Sequence, residues 1–427
     1  MSDQPRDAFA SLRLPYVRAF ALGRMLATVG AQIVTVAVGW DLYERTDDPF
    51  ALGLIGLATV APAMVLMLPA GTISDRFARR NVAMAAHALL ALAALGLAWV
   101  ARTNGPVALV YALIVLGGVG RAFAQPSTTT LLAQLLTPAE YQNAYAWLVS
   151  SGKIAQVVGP AAGGALIAAT GEAGSSYGVA ALANLAFVAT LATMPAVAPA
   201  PSAARPGLSD LFGGVAFIRR TPIFLGAITL DLFGVLFGGA VALLPVYAKD
   251  ILMVGPAGLG VLRAAPAAGA VVMALVATRL PPFQRPGRAM LFAVAGFGLA
   301  TIVFGFSHDL ALSLVCLTLT GACDAISVMV RGTIEQAITP DRLRGRVSAI
   351  NFLFIGLSNE MGAFESGVTA ALFGPVGSVV LGGLGTLGVV ALVPFLFPAL
   401  ARVGPVDRLR PEESEPEPEA LVEPARA

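Results

Sequence analysis

The stretch "LAQLLTPAEYQNAY", residues 132–145, returns as "IEQAITPDRLRGRV", residues 334–347, matching Gln134 with Gln336, Thr137 with Thr339 and Pro138 with Pro340. At nearly the same offset Phe20 pairs with Phe224 and Tyr43 with Tyr247, and slightly further on Pro49 and Gly53 pair with Pro256 and Gly260. A chain that copies itself in this way is built from two related units. What each unit is made of then sets the fold.

Hydrophobic residues make up 57% of the 427 residues and charged residues only 12%, too apolar a mixture for a water-soluble domain of this length. A bilayer accepts it if every backbone polar group is satisfied within its own segment, which takes about 20 mostly apolar residues per helical span. Twelve such spans fit, near residues 19–42, 51–70, 82–101, 107–125, 143–169, 176–194, 222–247, 258–278, 289–306, 310–330, 346–372 and 376–398. The expected fold class is therefore all-α and integral to the membrane, with twelve transmembrane helices in two pseudo-symmetric six-helix bundles. Residues 1–194 form the first bundle and 222–398 the second. Between them, 195–221 is a linker whose amphipathic piece "LSDLFGGVAFIRR" is expected on the cytoplasmic membrane surface. Residues 399–427, rich in Pro and Glu, read as a disordered acidic cytoplasmic tail.

The residues before the first span are mixed in charge and lack the apolar core of a signal peptide, so no cleaved leader is expected. Of the 27 Lys and Arg residues, only Arg45, Arg102 and Lys249 fall in loops on one side and only Arg24, Arg121, Lys153 and Arg263 within spans. The rest lie on the other side, which places both termini in the cytoplasm of a cell (inner or plasma) membrane. Cys316 and Cys323 are about 10 Å apart along one helix, too far for a disulfide. No metal and no cofactor is implied.

Between the second and third spans the chain reads "GTISDRFARRNV", residues 71–82. Gly71 permits close helix approach, and Asp75 can accept hydrogen bonds from the exposed N-terminus of a neighbouring helix. Gly71, Asp75, Arg76, Arg79 and Arg80 resemble the G-x-x-x-D-R-x-x-R-R pattern of major facilitator superfamily transporters. That resemblance implies that the neighbour is the eleventh helix, opening "PDRLRGRVSAI", and that the contact latches one face shut. The bland alternative is that Arg76, Arg79 and Arg80 only set topology; the second half, "ATRLPPFQRPGRAM", has no matching acid.

Two further stretches resemble exporters of that superfamily. "VGRAFAQP" places Arg121 in the fourth span and partly matches the arginine signature of proton-coupled drug antiporters. "AQVVGPAAGGAL" is similar to their fifth-helix signature at Gly159, Pro160, Gly163 and Gly164, with Ala155 where the leading glycine usually stands. Small-residue helix packing, bent at Pro160, explains the same glycines without any efflux role. "TPDRLRGRVSAINFLFIGLSNEMGAFESGVTAALFG" and "VAVGWDLYERTDDPFALGLIGLA" are similar to the branch that includes the enterobactin exporter and other transmembrane efflux proteins, and the likeness covers nearly all of residues 15–400. Asp41, after Trp40, stands where that branch often has an amide, and adds an acid at the outer mouth.

Charged groups inside spans are expensive and read as functional. Glu360 lies about 20 Å along its helix from Val347, near mid-membrane, and Glu365 points about 140° away from it. Asp231 in the seventh span and Asp324 in the tenth are the other deep acids; Arg24, Arg121, Lys153 and Arg263 are the available bases. A carboxyl whose titration follows its exposure is what proton coupling requires, with a static buried ion pair as the alternative for each. Glu360 is the expected proton carrier, followed by Asp231 and Asp324, with Glu365 weakest.

His87 and His308 are the only histidines, and no G-x-S-x-G, H-E-x-x-H or P-loop spacing occurs, so an intramembrane enzyme is disfavoured and the chain itself is not expected to spend ATP. The expected function is secondary active transport, namely efflux of an amphipathic small molecule such as a drug-like compound or a siderophore, by alternating access and in exchange for protons. The partners are that substrate, protons and the lipid bilayer, without nucleic acid, and the chain is expected to be a monomer. Uptake or facilitated passage of a small metabolite is the main alternative, followed by a non-transporting membrane receptor.

Overall fold

Helices account for nearly all of the chain in the computed structural model, which describes residues 9–195, 208–281, 283–405 and 409. The first six are α1 (Pro15–Thr46), α2 (Pro49–Arg76), α3 (Arg79–Thr103), α4 (Val107–Leu135), α5 (Pro138–Thr170) and α6 (Ala173–Ala192). On the face away from the termini they turn through single left-handed residues: Asp47 (φ 48°), Asn104 (φ 49°) and Gly171 (φ 74°). These are residue types that tolerate that conformation, so the reversals are tight.

The repeated stretch marks the break between α4 and α5. Thr137 caps α5, its hydroxyl accepting from the Glu140 N–H (3.4 Å) while the Glu140 carboxylate accepts from the Thr137 N–H (3.0 Å). Pro138 occupies the first helical position, where a missing N–H is harmless. In the second copy Pro340 takes the capping position and Thr339 is buried with its hydroxyl unpartnered among the described residues. The copy keeps the break and not the cap.

The remaining helices are α7 (Leu208–Arg220), α8 (Pro222–Phe237), α9 (Leu244–Val246), α10 (Gly255–Ala277), α11 (Pro286–Gly305), α12 (Leu310–Ile338), α13 (Asp341–Leu396) and α14 (Pro398–Arg402). Ten helical stretches among the described residues are long and apolar enough to cross a membrane. Two more complete the set of twelve. Helix α13 is two spans joined at Gly374, whose φ of 77° and ψ of 163° only glycine readily adopts. Helix α5 is long enough at 33 residues, but Ser150, Ser151, Lys153 and Gln156 interrupt its apolar run.

Within the first half α1 packs on α5 and α6, and α3 on α4 and α6; within the second, α12 packs on α10 and α11, and α13 on α8 and α11. Two seams join the halves, α2 against α13 and α5 against α10. The result is the twelve-helix, two-bundle arrangement.

Several boundaries differ from the sequence reading. The seventh span is not one helix: after α8 it passes through a 3-10 turn (Gly239–Leu243), the single turn of α9 and a π turn (Tyr247–Ile251). Glycines at 238 and 239 and Pro245 loosen the ladder there, and irregular backbone at membrane depth is tolerated where it lines a cavity. Helix α12 runs to Ile338 instead of ending near 330, which draws Arg331 into the bundle, where it is buried. The amphipathic α7 covers protein and not only lipid, since Ile218 is buried in one cluster with Val347 and Ile350 of α13. Most of the linker before it, residues 196–207, lies outside the described residues. At the other end Leu400 is buried beside α8 and α11, so packed chain continues past 399; residues 411–427 lie outside the described residues.

Candidate functional site

Along both seams the halves touch at one end and part at the other. On the face away from the termini the Gly53 backbone of α2 meets the Gly367 backbone of α13, and Gly56 meets the carbonyl of Glu360. Likewise Gly164 of α5 meets Gly260 of α10. Polar links reinforce this end: the Tyr43 hydroxyl donates to the Asp250 carboxylate, and Lys249 pairs with Asp47 at 2.5 Å. Toward the termini a methyl group on Gly71, Gly152, Gly345 or Gly356 would meet no atom of another element within 4 Å among the described residues. The same helices that are in backbone contact at one end therefore leave a cleft at the other.

The cleft leads to a cavity of about 400 Å³ lined by both halves. From the first half come Arg24 of α1, Thr59 of α2, His87 of α3, Arg121 and Gln125 of α4 and Asn184 of α6; the second half supplies Pro245, Arg263 of α10 and Glu360 of α13. Arg121 is enclosed by the bundle, yet its side chain is open to the cavity. Among the described residues neither Arg24 nor Arg121 has a hydrogen-bonded partner for its guanidinium, and that of Arg263 makes one long bond, to the Val241 carbonyl at 3.4 Å. Among the described residues the Glu360 carboxylate forms no ion pair within 4.0 Å, although the charges of Arg121 and Arg263 reach it.

His87 was not singled out as a site residue in the sequence, where it is one polar group in an alanine-rich span. Its Nδ1 lies 2.9 Å from the Asn184 Oδ1, and the Asn184 amide N–H donates to the Ala180 carbonyl at 2.9 Å. With the amide nitrogen so engaged, Oδ1 faces the ring and Nδ1 must donate. Four residues separate Ala180 from Asn184, so one helical turn fixes the ring.

The expected site residues divide into groups. Glu360, Arg24, Arg121 and Arg263 share the cavity. Asp231 does not reach it: its carboxylate accepts from Arg331 (2.5 Å) and Ser327 (3.0 Å) inside the second bundle. Asp324 lies beside that pair, with Cys323, around a void of about 10 Å³. Asp41 is bonded to Arg45 at 2.7 Å and to Tyr177 at 3.4 Å, and does not line the cavity. Glu365 faces Ser366 at 3.4 Å and Lys153 is exposed on α5; neither lines the cavity.

The glycines of the fifth helix do pack. A side chain on Gly159 or Gly163 would run into Gln32 and Ile33 of α1, and one on Gly164 into α10. Pro160 contributes its carbonyl to the contact with Gly260. In the basic loop, Gly71 makes no close helix approach among the described residues, Arg80 donates to the Met194 carbonyl at 2.8 Å, and Arg76 is exposed. The Asp75 side chain lies outside the described residues. Arg331, missed because it sat just beyond the expected end of its span, had one sequence signal: it follows Asp324 and Ser327 at seven and four residues, on one helical face.

Comparison with known proteins agrees with this architecture. The family described as transmembrane secretion effector matches residues 6–424. The enterobactin exporters of Escherichia coli O1:K1 and Shigella boydii serotype 18 are each 30% identical over 394 residues, covering 91% of this chain and 93% of theirs. Among solved structures, an inward-facing, unoccupied bacterial homolog of the human lysosomal transporter Spinster superposes with a TM-score of 0.70 at 14% identity, covering 93% of this chain and 97% of that one. The inward-open xylose transporter XylE from E. coli gives 0.65 at 14% identity, over 94% and 99% of the two chains.

Proposed function

The chain belongs to the transmembrane secretion effector family of major facilitator transporters, and from that premise we propose that it exports an amphipathic small molecule across the cell membrane by alternating access. It is a multi-pass membrane transporter and not an enzyme. The observation that carries alternating access is the cavity between the halves, sealed by backbone contacts at Gly53–Gly367 and Gly164–Gly260 and open toward the termini; the outward direction of passage follows the exporters the chain resembles. With both termini in the cytoplasm, as the Lys and Arg distribution argues, this is the state that loads cargo from inside. The cargo class follows the relatives: a siderophore-like or drug-like compound, carried by a monomer whose halves divide at 195–221. Expression in a host stripped of its own exporters, followed by profiling of the medium in low iron, tests this; an unchanged profile overturns it.

Protons are the coupling ion in this proposal, carried by an intramembrane carboxyl whose exposure changes between the two states. The candidates are Glu360 in the cavity and Asp324 beside the Asp231–Arg331 pair. Glu360→Gln and Asp324→Asn keep shape while removing titration. In proteoliposomes one of the two is expected to lose proton-driven flux yet retain homologous exchange, and full proton-driven flux in both would refute coupling through these groups.

Asp75 is proposed to act in the opposite conformation, when Gly71 and the start of α13 come together and the N-terminus of that helix meets the carboxylate. Asp75→Asn is expected to slow turnover while leaving cargo affinity within about twofold, because it changes the balance of states and not the cavity. Paired-cysteine trapping of each state reads that balance; an unaltered ratio would overturn the role.

A further inference from the structure

We propose that the central cavity is an anion site, taking an organic anion whose acidic group is held between Arg121 and Arg263, with Glu360 as their counter-ion while no cargo is bound. The inference deepens the export reading and rests on it for the direction of passage, not for the binding itself. Its first support is charge: the lining brings Arg24, Arg121 and Arg263 against Glu360 alone. The cavity is cationic whichever protonation state His87 takes.

The second support is how the arginines are used. Elsewhere in the bundle this protein pairs them with acids: Arg331 is bonded to Asp231, and Arg45 to Asp41 and to the carbonyls of Val100 and Gly105. A guanidinium carries five N–H donors, and those of Arg24 and Arg121 have no protein acceptor among the described residues, while Arg263 has one at the limit of reach. Guanidinium groups placed at membrane depth without protein acceptors mark a functional site, and an acidic ligand entering the cavity supplies the missing acceptors. A volume of about 400 Å³ is that of an ordinary small-molecule site, and Ile55, Leu90, Leu97 and Leu113 give its apolar body a wall.

The charges also set a pH dependence. Arg121 from α4 and Arg263 from α10 are the charges that reach Glu360, and Arg24 from α1 and His87 from α3 line the same cavity; the linings from α2, α6 and the broken seventh span are uncharged. An ionised Glu360 competes with the anion for the arginines, so protonating it strengthens anion binding, and protonating His87 acts in the same direction. By linkage the anion and the proton on Glu360 bind together. A cationic cargo would compete with that proton instead. For an acidic cargo, a proton exchanged against it therefore sits elsewhere, and Asp324 is the carboxyl so placed.

The test is calorimetric binding to the full chain in nanodiscs, with three probes of one size: 2-naphthoyl-glycine, its uncharged amide, and a trimethylammonium analogue. The acid is expected to bind at least tenfold tighter than either other probe, and tighter at pH 5.5 than at 7.5. Arg121→Met and Arg263→Met each lose that preference, Arg121→Lys keeps part of it, and Glu360→Gln keeps acid binding while flattening its pH dependence. Melting curves on every variant separate lost binding from lost fold. Equal binding of acid and amide, a preference for the cation, or loss of acid binding in Glu360→Gln overturns the proposal. Acid that binds with this preference but does not cross sealed vesicles leaves the anion site standing and overturns the export reading. Export of other compounds without acid binding does the reverse.

Discussion

Replacing Arg331 with leucine is expected to destabilise the protein by on the order of 3–5 kcal/mol, seen as a large fall in melting temperature in detergent. The Asp231–Arg331 pair is buried on both sides, with side-chain exposures of 5% and 3%. Removing the cation leaves the Asp231 carboxylate with only the Ser327 hydroxyl, and Asp324 stands close by with a second acid. The void beside the pair is about 10 Å³, at the lower limit for a single water molecule, so solvent replaces little of what the guanidinium supplies. The cause is then checked by a second change: Asp231→Asn in the Arg331→Leu background removes the stranded charge and is expected to recover most of the loss. A wild-type melting temperature in the single mutant, or no recovery in the double, would show that the pair is not what holds α8 to α12.

Adding bulk at the sealed end is expected to have a comparably large effect on conformation. At Gly53 and Gly367 the backbones of α2 and α13 are in contact, so a valine at 367 has no flexible side chain to push aside. Overpacking of this kind costs about 1–3 kcal/mol, which is roughly a 5- to 150-fold shift between two states. The state sealed at that end loses population and the opposite one gains. Asp47 and Lys249, bonded across the seal, give the reporter: with both replaced by cysteine and the native Cys316 and Cys323 removed, a short bismaleimide should cross-link the parent efficiently and Gly367→Val several-fold less. Equal yields would mean that the glycine contact does not set the balance.

Both predictions depend on features that differ in how far the sequence discloses them. Membrane insertion, helix number and the two related halves follow from local quantities: apolar length per span, the side on which Lys and Arg fall, and a short repeated break at Thr137–Pro138 and Thr339–Pro340. These properties add along the chain, so they need no partner. The angular argument on α13 is local in the same sense: five residues apart, Glu360 and Glu365 cannot share a direction, and only the former lines the cavity.

Which charge answers which is another matter. Asp41 is engaged by Arg45 one turn away, Asp231 by Arg331 a hundred residues on, and Arg121, Arg263 and Glu360 are brought together from three helices across two halves. Sequence supplied Asp41, Asp231, Arg121, Arg263 and Glu360 as charged groups in or beside apolar runs, and Arg45 and Arg331 as loop cations, and so could rank them only by depth. The tertiary structure decided their pairing, because ion-pair strength depends on separations of a few ångströms, set by where helices end and cross. Arg331 shows the sensitivity: eight more helical residues in α12 turned a loop cation into the buried partner of Asp231.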